Sequence, residues 1–448
     1  YLRLLSYEKK KLAIFDNIDE VKSLKEKLKF VKDPLKKKKI QAALSYYHKQ
    51  CDLKRFDIIK DVNLFYKEYK NYITSQMAQS IAKRIDAAIT EYIEEPDIEL
   101  SNTKVIKSIE SESTINGIKF DGTNVIYKDM LLPIKVKNDS YFYEALQNYK
   151  LQYIRIVKRT GKTKTYMNAQ FVFVGEPISK RKIKLGNGDV GIDLGTSTIA
   201  YCSENEVKIE EFSKELIKVD NEISLINQKL DRSRRTNNPK NYYEDGQIVP
   251  KEERLPWKNS KTYKRLLRRK RYLSNKLTNQ RKNLYEHQVN ELLTKGNRFI
   301  IEDMNYKALQ KRKKETTKDD KGRFEKKSRY GKSLLEHAPS SFINILIRKL
   351  GYLGIQIYKV NNQTFKASQY DHTKDEYIKC DLNVRKKNIG NNIVQRDLYS
   401  AFLLMNANDD LQTVNKEKCN ERFNKFLSLH EIEINRLSKL TNISCIGV

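Results

Sequence analysis

Three acidic residues occupy positions where a charged side chain is unusual. Asp193 lies inside an apolar stretch (IDLG), Glu302 ends another (FIIE), and Asp397 opens an amphipathic segment (RDLYSAFLL). A buried carboxylate is unfavourable unless it is paired or binds a metal. Asp397 alone would be an ordinary acid in the first turn of a helix. Three such acids in one chain predict instead a shared cation site.

The acids also indicate which cation and which reaction. Oxygen ligands favour Mg²⁺ or Mn²⁺ over zinc. Two such ions about 4 Å apart suit phosphodiester hydrolysis, because one activates water and the other stabilises the leaving 3′ oxygen. We expect Asp193 to bridge both ions, and Glu302 and Asp397 each to complete the shell of one. Asp303, which follows Glu302, should point to the opposite face of its strand. The three acids are thus the predicted catalytic and metal-binding residues.

An alternative interpretation assigns Asp193 to ATP binding. The segment GIDLGTST also resembles the first phosphate-binding loop of the actin and hexokinase-like ATPases. That superfamily needs a second Asp-x-Gly-x-Thr-type loop and a later Gly-Gly adenosine loop, and neither appears after residue 200. ATP binding would also leave Glu302 and Asp397 unexplained. The nuclease interpretation is therefore favoured.

The charge of the chain indicates a polyanionic partner. The sequence holds 88 Lys and Arg against 57 Asp and Glu, a formal net charge of +31. Nucleic acid is the commonest partner of so basic a protein, and an anionic membrane is the next. We find no apolar run long enough to span a bilayer and expect no signal peptide. The five cysteines are scattered, which fits reduced thiols. These features predict a cytoplasmic protein with no membrane partner.

Changes of pattern divide the chain into three predicted domains. Helical periodicity fills 1–98, β-rich runs with turn residues fill 99–182, and apolar strands mixed with helices fill 183–448. Within the last region we expect a helical insertion at 213–295 and a mobile basic loop at 307–332. The predicted fold class is therefore multidomain, with α+β and α/β parts: a helical domain, a small β-barrel or sandwich, and a domain that carries the acids.

A strongly basic helix is expected inside the insertion. The segment 258–282 contains eleven Lys and Arg and no acid, and its leucines recur at helical spacing. A solvated basic face would be the ordinary explanation. An uncompensated run of this density repels itself, however, so contact with phosphates is favoured. The candidate nucleic-acid-binding residues are Lys264, Arg268, Arg269 and Arg271.

The order of the three acidic motifs resembles that of a known nuclease family. GIDLG, IIEDMN and QRDLYSAFLL follow one another like the three split RuvC motifs of TnpB, the transposon-encoded RNA-guided nuclease, and type V CRISPR effectors share that arrangement. Similarity extends over most of the chain, including ITSQMAQSIAKRIDAAI, NQRKNLYEHQVNELL and LIRKLGYLGIQIYKVNNQTFKASQ. The resemblance implies a helical recognition domain at 1–98, a wedge-like β-barrel at 99–182, and a C-terminal RNase H-like (RuvC) nuclease domain at 183–448.

The same resemblance implies partners and a mode of action. A guide RNA would pair with double-stranded target DNA, while the protein reads shape and a short adjacent motif. By similarity, Ser75, Gln76 and Gln79 are candidates for reading that motif, and the basic Lys83 lies near them; each alone could equally be a surface polar residue. The protein would be prokaryotic, and nucleoid-associated when bound to DNA. A compact type V CRISPR effector, a guide-independent RuvC-like nuclease and a non-cleaving nucleic-acid-binding repressor remain alternatives.

The sequence departs from the family in one segment. TnpB proteins usually carry a four-cysteine zinc ribbon between the second and third motifs. The equivalent 366–392 offers only His372 and Cys380 and no C-x-x-C, whereas a tetrahedral zinc site needs four ligands. We therefore predict no structural zinc. The segment should instead approach target nucleic acid through its basic residues, Lys379, Arg385, Lys386 and Lys387. Because none of the three acids is replaced, a cleaving enzyme is favoured over a repressor.

Overall fold

Helices and sheets are combined in two units, Tyr1–Gly175 and Glu176–Val448. The computed structural model describes residues 1–31, 33–95, 98, 100, 107–136, 139–178, 183–212, 217–250, 252–306, 309, 331–379, 381 and 384–439. The predicted boundary after 182 lies near the division between the units, whereas the one after 98 falls inside the first unit. The division into three domains stays a prediction.

Helices open the first unit and pack around one apolar core. They are α1 (Leu2–Asn17), α2 (Asp19–Phe30), α3 (Pro34–Gln50), α4 (Arg55–Tyr69) and α5 (Ser75–Glu94). Asp33 begins α3, because its side chain accepts hydrogen bonds from the amides of Leu35 and Lys36 and Pro34 follows it. Thr74 begins α5 in the same way, accepting from the amide of Met77. The core buries large apolar side chains from all five helices, including Phe15, Val21, Leu44, Ile58 and Ile85.

Short strands complete the first unit. They are β1 (Ser108–Glu110), β2 (Lys119–Phe120), β3 (Asn124–Tyr127), β4 (Met130–Pro133), β5 (Lys150–Thr160) and β6 (Thr165–Val174), with α6 (Ser140–Asn148) before β5. They form two antiparallel three-stranded sheets, β1-β5-β6 and β2-β3-β4. Side chains of both sheets share a small core around Ile118, Val125, Ile154 and Ile156. Among the described residues the two sheets share no strand, and the predicted β-barrel stays a prediction.

The second unit is organised by a five-stranded mixed sheet. Its strands are β7 (Asp189–Leu194), β8 (Thr198–Cys202), β9 (Val207–Glu211), β10 (Arg298–Glu302) and β11 (Tyr358–Val360). Their order across the sheet is β11-β10-β7-β8-β9. β7, β8 and β9 are antiparallel neighbours, whereas β10 runs parallel to both β7 and β11. The carboxyl ends of β7 and β10 therefore meet at one edge.

Helices cover both faces of this sheet. The second unit contains α7 (Ile217–Asn237), α8 (Lys261–Leu293), α9 (Gly331–His337), α10 (Pro339–Tyr352), α11 (Arg396–Met405) and α12 (Lys416–Ser438), of which α8, α10, α11 and α12 pack on the sheet. On one face Ile300 packs with Phe402 of α11 and Phe426 of α12. On the other face Phe299 and Ile301 pack with apolar residues of α8 and α10. This alternation follows from the two-residue period of a strand.

Smaller elements complete the second unit. α7 and α8 pack together through Ile226, Leu230 and Leu273, within the predicted insertion at 213–295. The segment before α11 forms two antiparallel hairpins, from β12 (Tyr370–Asp371) and β13 (Glu376–Tyr377), and from β14 (Lys386–Ile389) and β15 (Asn392–Gln395). The predicted loop at 307–332 lies outside the described residues, apart from 309 and the start of α9. Of the helices described, none has the length and apolarity that crossing a membrane requires.

Candidate active site

Asp193 is placed by the helix that crosses its strand. A Cβ atom on Gly191 would collide with the carbonyl of Ala401 and the amide of Met405, so the α11 backbone runs directly over β7. Only glycine allows so close an approach. Asp193 lies two residues further along β7 and therefore on the same face. Its side chain is thus directed to the face that α11 covers.

Glu302 reaches the same face from the neighbouring strand. The parallel register pairs Ile300 with Gly191 and Ile301 with Ile192, so Glu302 lies one step further, level with Asp193. Ile300 packs on the α11 face, and strand alternation puts Glu302 there too. Because paired strands lie about 4.8 Å apart, these two acids are neighbours.

The Asp303 side chain points to the opposite face of the sheet from Glu302, and it forms an ion pair instead of joining the three acids. It pairs with Lys359, with 2.8 Å between Nζ and Oδ1. Its backbone amide and carbonyl both hydrogen-bond the side-chain amide of Asn362, at 3.1 Å each. This double contact fixes the chain immediately after Glu302.

Asp397 is positioned by the start of α11. Gln395 begins that helix, and its side chain accepts a hydrogen bond from the amide of Leu398 at 2.8 Å. The Asp397 carboxylate pairs with Arg385 at 3.3 Å and with Arg396 at 3.1 Å. Asp397 is 8% exposed. The Asp397 carboxylate thus reaches the α11 face of the sheet together with the guanidinium groups of Arg385 and Arg396.

Burial and mutual repulsion govern the charge of the acids. Burial, and then the nearby carboxylates of Asp397 and Glu302, raise the pKa of Asp193 well above its ordinary value, while Arg396 and Arg385 act in the opposite direction. Burial also raises the pKa of Glu302. Carboxylates whose charges disfavour one another form the environment that a divalent cation stabilises.

The carboxylate oxygens of the three acids suit such a cation, although the described residues do not form a complete metal-binding group. In the part of the chain that the structure describes, no group of three or more His, Cys, Asp or Glu side chains is arranged to hold a metal ion. The Asp397 carboxylate is engaged by Arg385 and Arg396. The three acids supply oxygen donors alone, which fits Mg²⁺ or Mn²⁺.

The predicted basic residues before α11 lie in different surroundings. Lys379 and Lys386 are exposed. Arg385 instead points at Asp397. The expectation that Lys387 approaches phosphate is wrong: this residue is buried, and its ammonium donates to the carbonyl of Ser368. Alternation along β14 places Lys387 on the inner face with Ile389, a pattern that the sequence could have shown.

An aromatic cluster supports the segment at 366–392. His372 is buried, and its Nδ1 lies 2.7 Å from the Tyr399 hydroxyl, which also accepts from the His372 amide at 3.2 Å. Its ring packs edge-on against Phe423, with 4.6 Å between centroids, and near Phe402. Cys380 lies outside the described residues. His372 thus belongs to a packed core that joins this segment to α11 and α12.

We expect Tyr399→Phe to destabilise the second unit by about 1–3 kcal/mol, because it leaves the buried imidazole of His372 without its partner. A zinc chelator should leave the melting temperature of the unchanged protein where it is. Thermal unfolding with and without chelator measures both effects. A chelator-induced drop in melting temperature would contradict the prediction that the protein holds no structural zinc.

A second histidine holds the start of α11. His430 of α12 is buried, and its Nε2 accepts a hydrogen bond from the backbone amide of Gln395 at 2.9 Å. Burial lowers the pKa of His430 from 6.5 to about 4. The neutral ring is therefore the form that supports Gln395, and through it Asp397.

The stability of the second unit should fall in acid because of this histidine. The pKa of His430 is lower in the folded state, so its contribution is complete above pH 6.5 and is lost as pH falls toward 4. The loss should approach about 1.4 kcal/mol per pH unit in that window. His430→Gln, which keeps an acceptor but cannot titrate, should show a shallower dependence of unfolding free energy on pH. Identical slopes for both proteins would contradict this role.

The predicted motif-reading residues line part of α5. Ser75, Gln79 and Lys83 are exposed and recur at four-residue steps, which puts them on one face, and Gln76 beside them is half-buried. Lys83 pairs with Glu112 at 3.4 Å. The apolar side of the helix is turned into the core through Met77, Ile85 and Ile89.

The predicted phosphate-binding residues share the solvent side of α8. Lys264, Arg268, Arg269 and Arg271 are all exposed, while Leu273 and Leu277 are buried. Arg269 forms an ion pair with Glu222 of α7.

Sequence reasoning missed three residues of the site. Arg396 was overlooked although it adjoins Asp397, and Asn362 offered no sequence signal because its role depends on tertiary contact. Tyr306 follows Glu302 by four residues and is 8% exposed. Its hydroxyl is buried without a hydrogen-bond partner among the described residues.

Comparison with known proteins gives limited similarity. No family model matches the chain, and no curated protein matches it. A cryo-EM structure of the Cas12f1–sgRNA–target DNA complex is 14% identical and covers 90% of this chain and 82% of that chain, with a TM-score of 0.43. A cryo-EM structure of a CRISPR–Cas12f ternary complex is 15% identical, covers 90% and 80%, and has a TM-score of 0.25. Similarity at this level assigns neither a fold nor a function to this chain.

Proposed function

We propose that this protein is an RNA-guided, metal-dependent DNA endonuclease of the TnpB type. One observation carries the proposal: Asp193, Glu302 and Asp397, far apart in sequence, reach one face at one edge of the sheet. Buried acids that repel one another destabilise a fold, and a catalytic cation site accounts for their presence. The net charge of +31 supports a nucleic-acid substrate. The resemblance of the three motifs supports the guide RNA.

The three acids would hold Mg²⁺ or Mn²⁺, with Asp193 between the other two. Ions bound there would supply an activated water and would neutralise charge on the scissile phosphate. The chain itself contributes positioning. Asn362 fixes the backbone after Glu302, and Gln395 fixes the start of α11 before Asp397. Arg385 and Arg396 balance the charge of Asp397.

The α8 face and the polar face of α5 would bind the nucleic acids. Exposed cations along α8 suit the backbone of a guide–target duplex, which a protein recognises through shape and phosphate. Ser75, Gln76 and Gln79 of α5 would read the short adjacent motif, and Lys83 would contact phosphate beside it. Lys379 would approach the target strand from the segment before α11.

Sequencing the RNA that co-purifies with the protein tests the proposal. A guided enzyme should yield one discrete RNA, and the complex should cut DNA that matches it in Mg²⁺ and not in EDTA. Cleavage after complete RNA removal would indicate a guide-independent nuclease. Binding without cleavage would indicate a repressor. Transposon ends or a CRISPR array beside the gene would distinguish a TnpB from a compact type V effector.

A further inference from the structure

A cleft adjoins Glu302 at the end of β10. It has a volume of about 390 Å³, within the range of sites that take small organic groups. The segment from Ile301 to Tyr306 forms one wall, and α10 forms the other. Ile343 and Ile347 give it apolar surface, while Ser340 and Asn344 add polar groups. The cleft is therefore amphipathic and borders one of the three acids directly.

Tyr306 lines this cleft, and its hydroxyl is a buried polar group without an explanation. The residue is 8% exposed, and none of the described residues forms a hydrogen bond with its hydroxyl. A buried hydroxyl without a partner destabilises a protein by about 1–3 kcal/mol, and such groups are rare unless function requires them. Phenylalanine would fill the same space without that cost.

The surroundings of the Tyr306 hydroxyl indicate the kind of acceptor to which it would donate. Tyr306 lines the same cleft as Glu302. Its hydroxyl nevertheless donates to neither Glu302 nor Asp193. A protonated donor beside a cation site is complementary to an anionic acceptor, and a phosphate oxygen of a strand bound at the acids meets that description.

We propose that the cleft seats the nucleotide next to the scissile phosphate and that Tyr306 donates a hydrogen bond to a phosphate oxygen of the bound strand. The phosphate lies toward Asp193 and Glu302, and the base lies along Ile343 and Ile347, within reach of Asn344. This inference rests on the proposed nuclease function. It adds a substrate-binding residue that the acidic motifs do not include.

Tyr306→Phe tests the proposal, because it removes only the oxygen. Single-turnover cleavage by the guide-loaded protein should slow by about 10- to 100-fold, the scale of a hydrogen bond to a charged group. Binding of target DNA in EDTA, where no cutting occurs, should weaken by about three- to tenfold. The melting temperature should stay the same or rise, because a buried hydroxyl without a partner is lost.

Tyr201→Phe is the matched control. Its hydroxyl is also buried, but it lies near Glu206 rather than the three acids, and Tyr201 does not line the cleft. This variant should cut and bind like the unchanged protein. Equal loss in both variants would overturn the proposal.

Two other results would also overturn it. Unchanged cleavage and binding by Tyr306→Phe would show that the hydroxyl does not contact the strand. A lowered melting temperature would show that the hydroxyl has a structural partner. Failure of the nuclease proposal is seen separately, in an Asp193→Asn protein that still cuts. If Asp193→Asn blocks cutting and Tyr306→Phe does not, only the inference about the cleft fails.

Discussion

Replacing Asp193 with asparagine is expected to lower DNA cleavage by at least about 1,000-fold, the scale seen when one member of a catalytic unit is lost. Asparagine has nearly the same shape, so the register of β7 with β10 and the close passage of α11 over Gly191 should persist. The substitution removes the carboxylate charge of Asp193, which lies near Glu302 and Asp397. Single-turnover cleavage of a matching target by the guide-loaded protein measures the effect.

Stability should respond to the same substitution in the opposite sense. Burial and the neighbouring carboxylates raise the pKa of Asp193, which means that its charged form is disfavoured in the fold. A neutral side chain removes that repulsion, so the melting temperature should stay the same or rise. Target binding in EDTA should be retained. A variant that is inactive because it is unfolded would fail both measurements.

Asp189→Asn is the matched control for this experiment. It makes the same chemical change on the same strand, but at the opposite end of β7, where Asp189 pairs with Arg298 at 3.3 Å. Its cleavage rate should remain within a few-fold of the unchanged protein. Equal loss in both variants would show that loss of any acid from β7, rather than from the three-acid cluster, impairs cutting.

Removing three cations from α8 is expected to give the second large effect. The triple variant Lys264→Ala, Arg268→Ala, Arg271→Ala removes exposed positive charges from one helix. Each phosphate contact adds about 0.9 to the slope of log affinity against log salt on duplex DNA, so the slope should fall by about 2 to 3. Affinity for a labelled DNA duplex near 0.15 M salt should drop at least about tenfold. Arg269 is left in place because it pairs with Glu222.

The control removes the same charge from another part of the chain. Lys27 and Lys29 of α2 and Lys36 of α3 are also exposed, and their replacement by alanine lowers the net charge equally. Titrations at several salt concentrations compare the two variants. If both lose the same slope and affinity, net charge alone governs binding, and the α8 surface has no special role.

The sequence by itself indicated which residues carry the chemistry. The sequence shows one acid inside an apolar strand, a second at the end of a strand and a third at the start of a helix. These acids stand out because a charged side chain is unfavourable in a buried, apolar segment. The opposite orientation of Asp303 followed from the two-residue period of a strand. The shortage of zinc ligands was a matter of composition. Helix starts such as Asp33-Pro34 were also readable, because capping depends on neighbours in sequence.

Tertiary structure alone decided how these residues meet. Periodicity shows that a face is buried but not what covers it, so the passage of α11 over Gly191 and the level placement of Glu302 beside Asp193 required the fold. The ion pair of Asp397 with Arg385, the contact of His430 with Gln395 and the packing of His372 under Tyr399 join residues that the chain separates. Such pairs leave no local pattern, because their energy comes from contacts formed only after the elements pack.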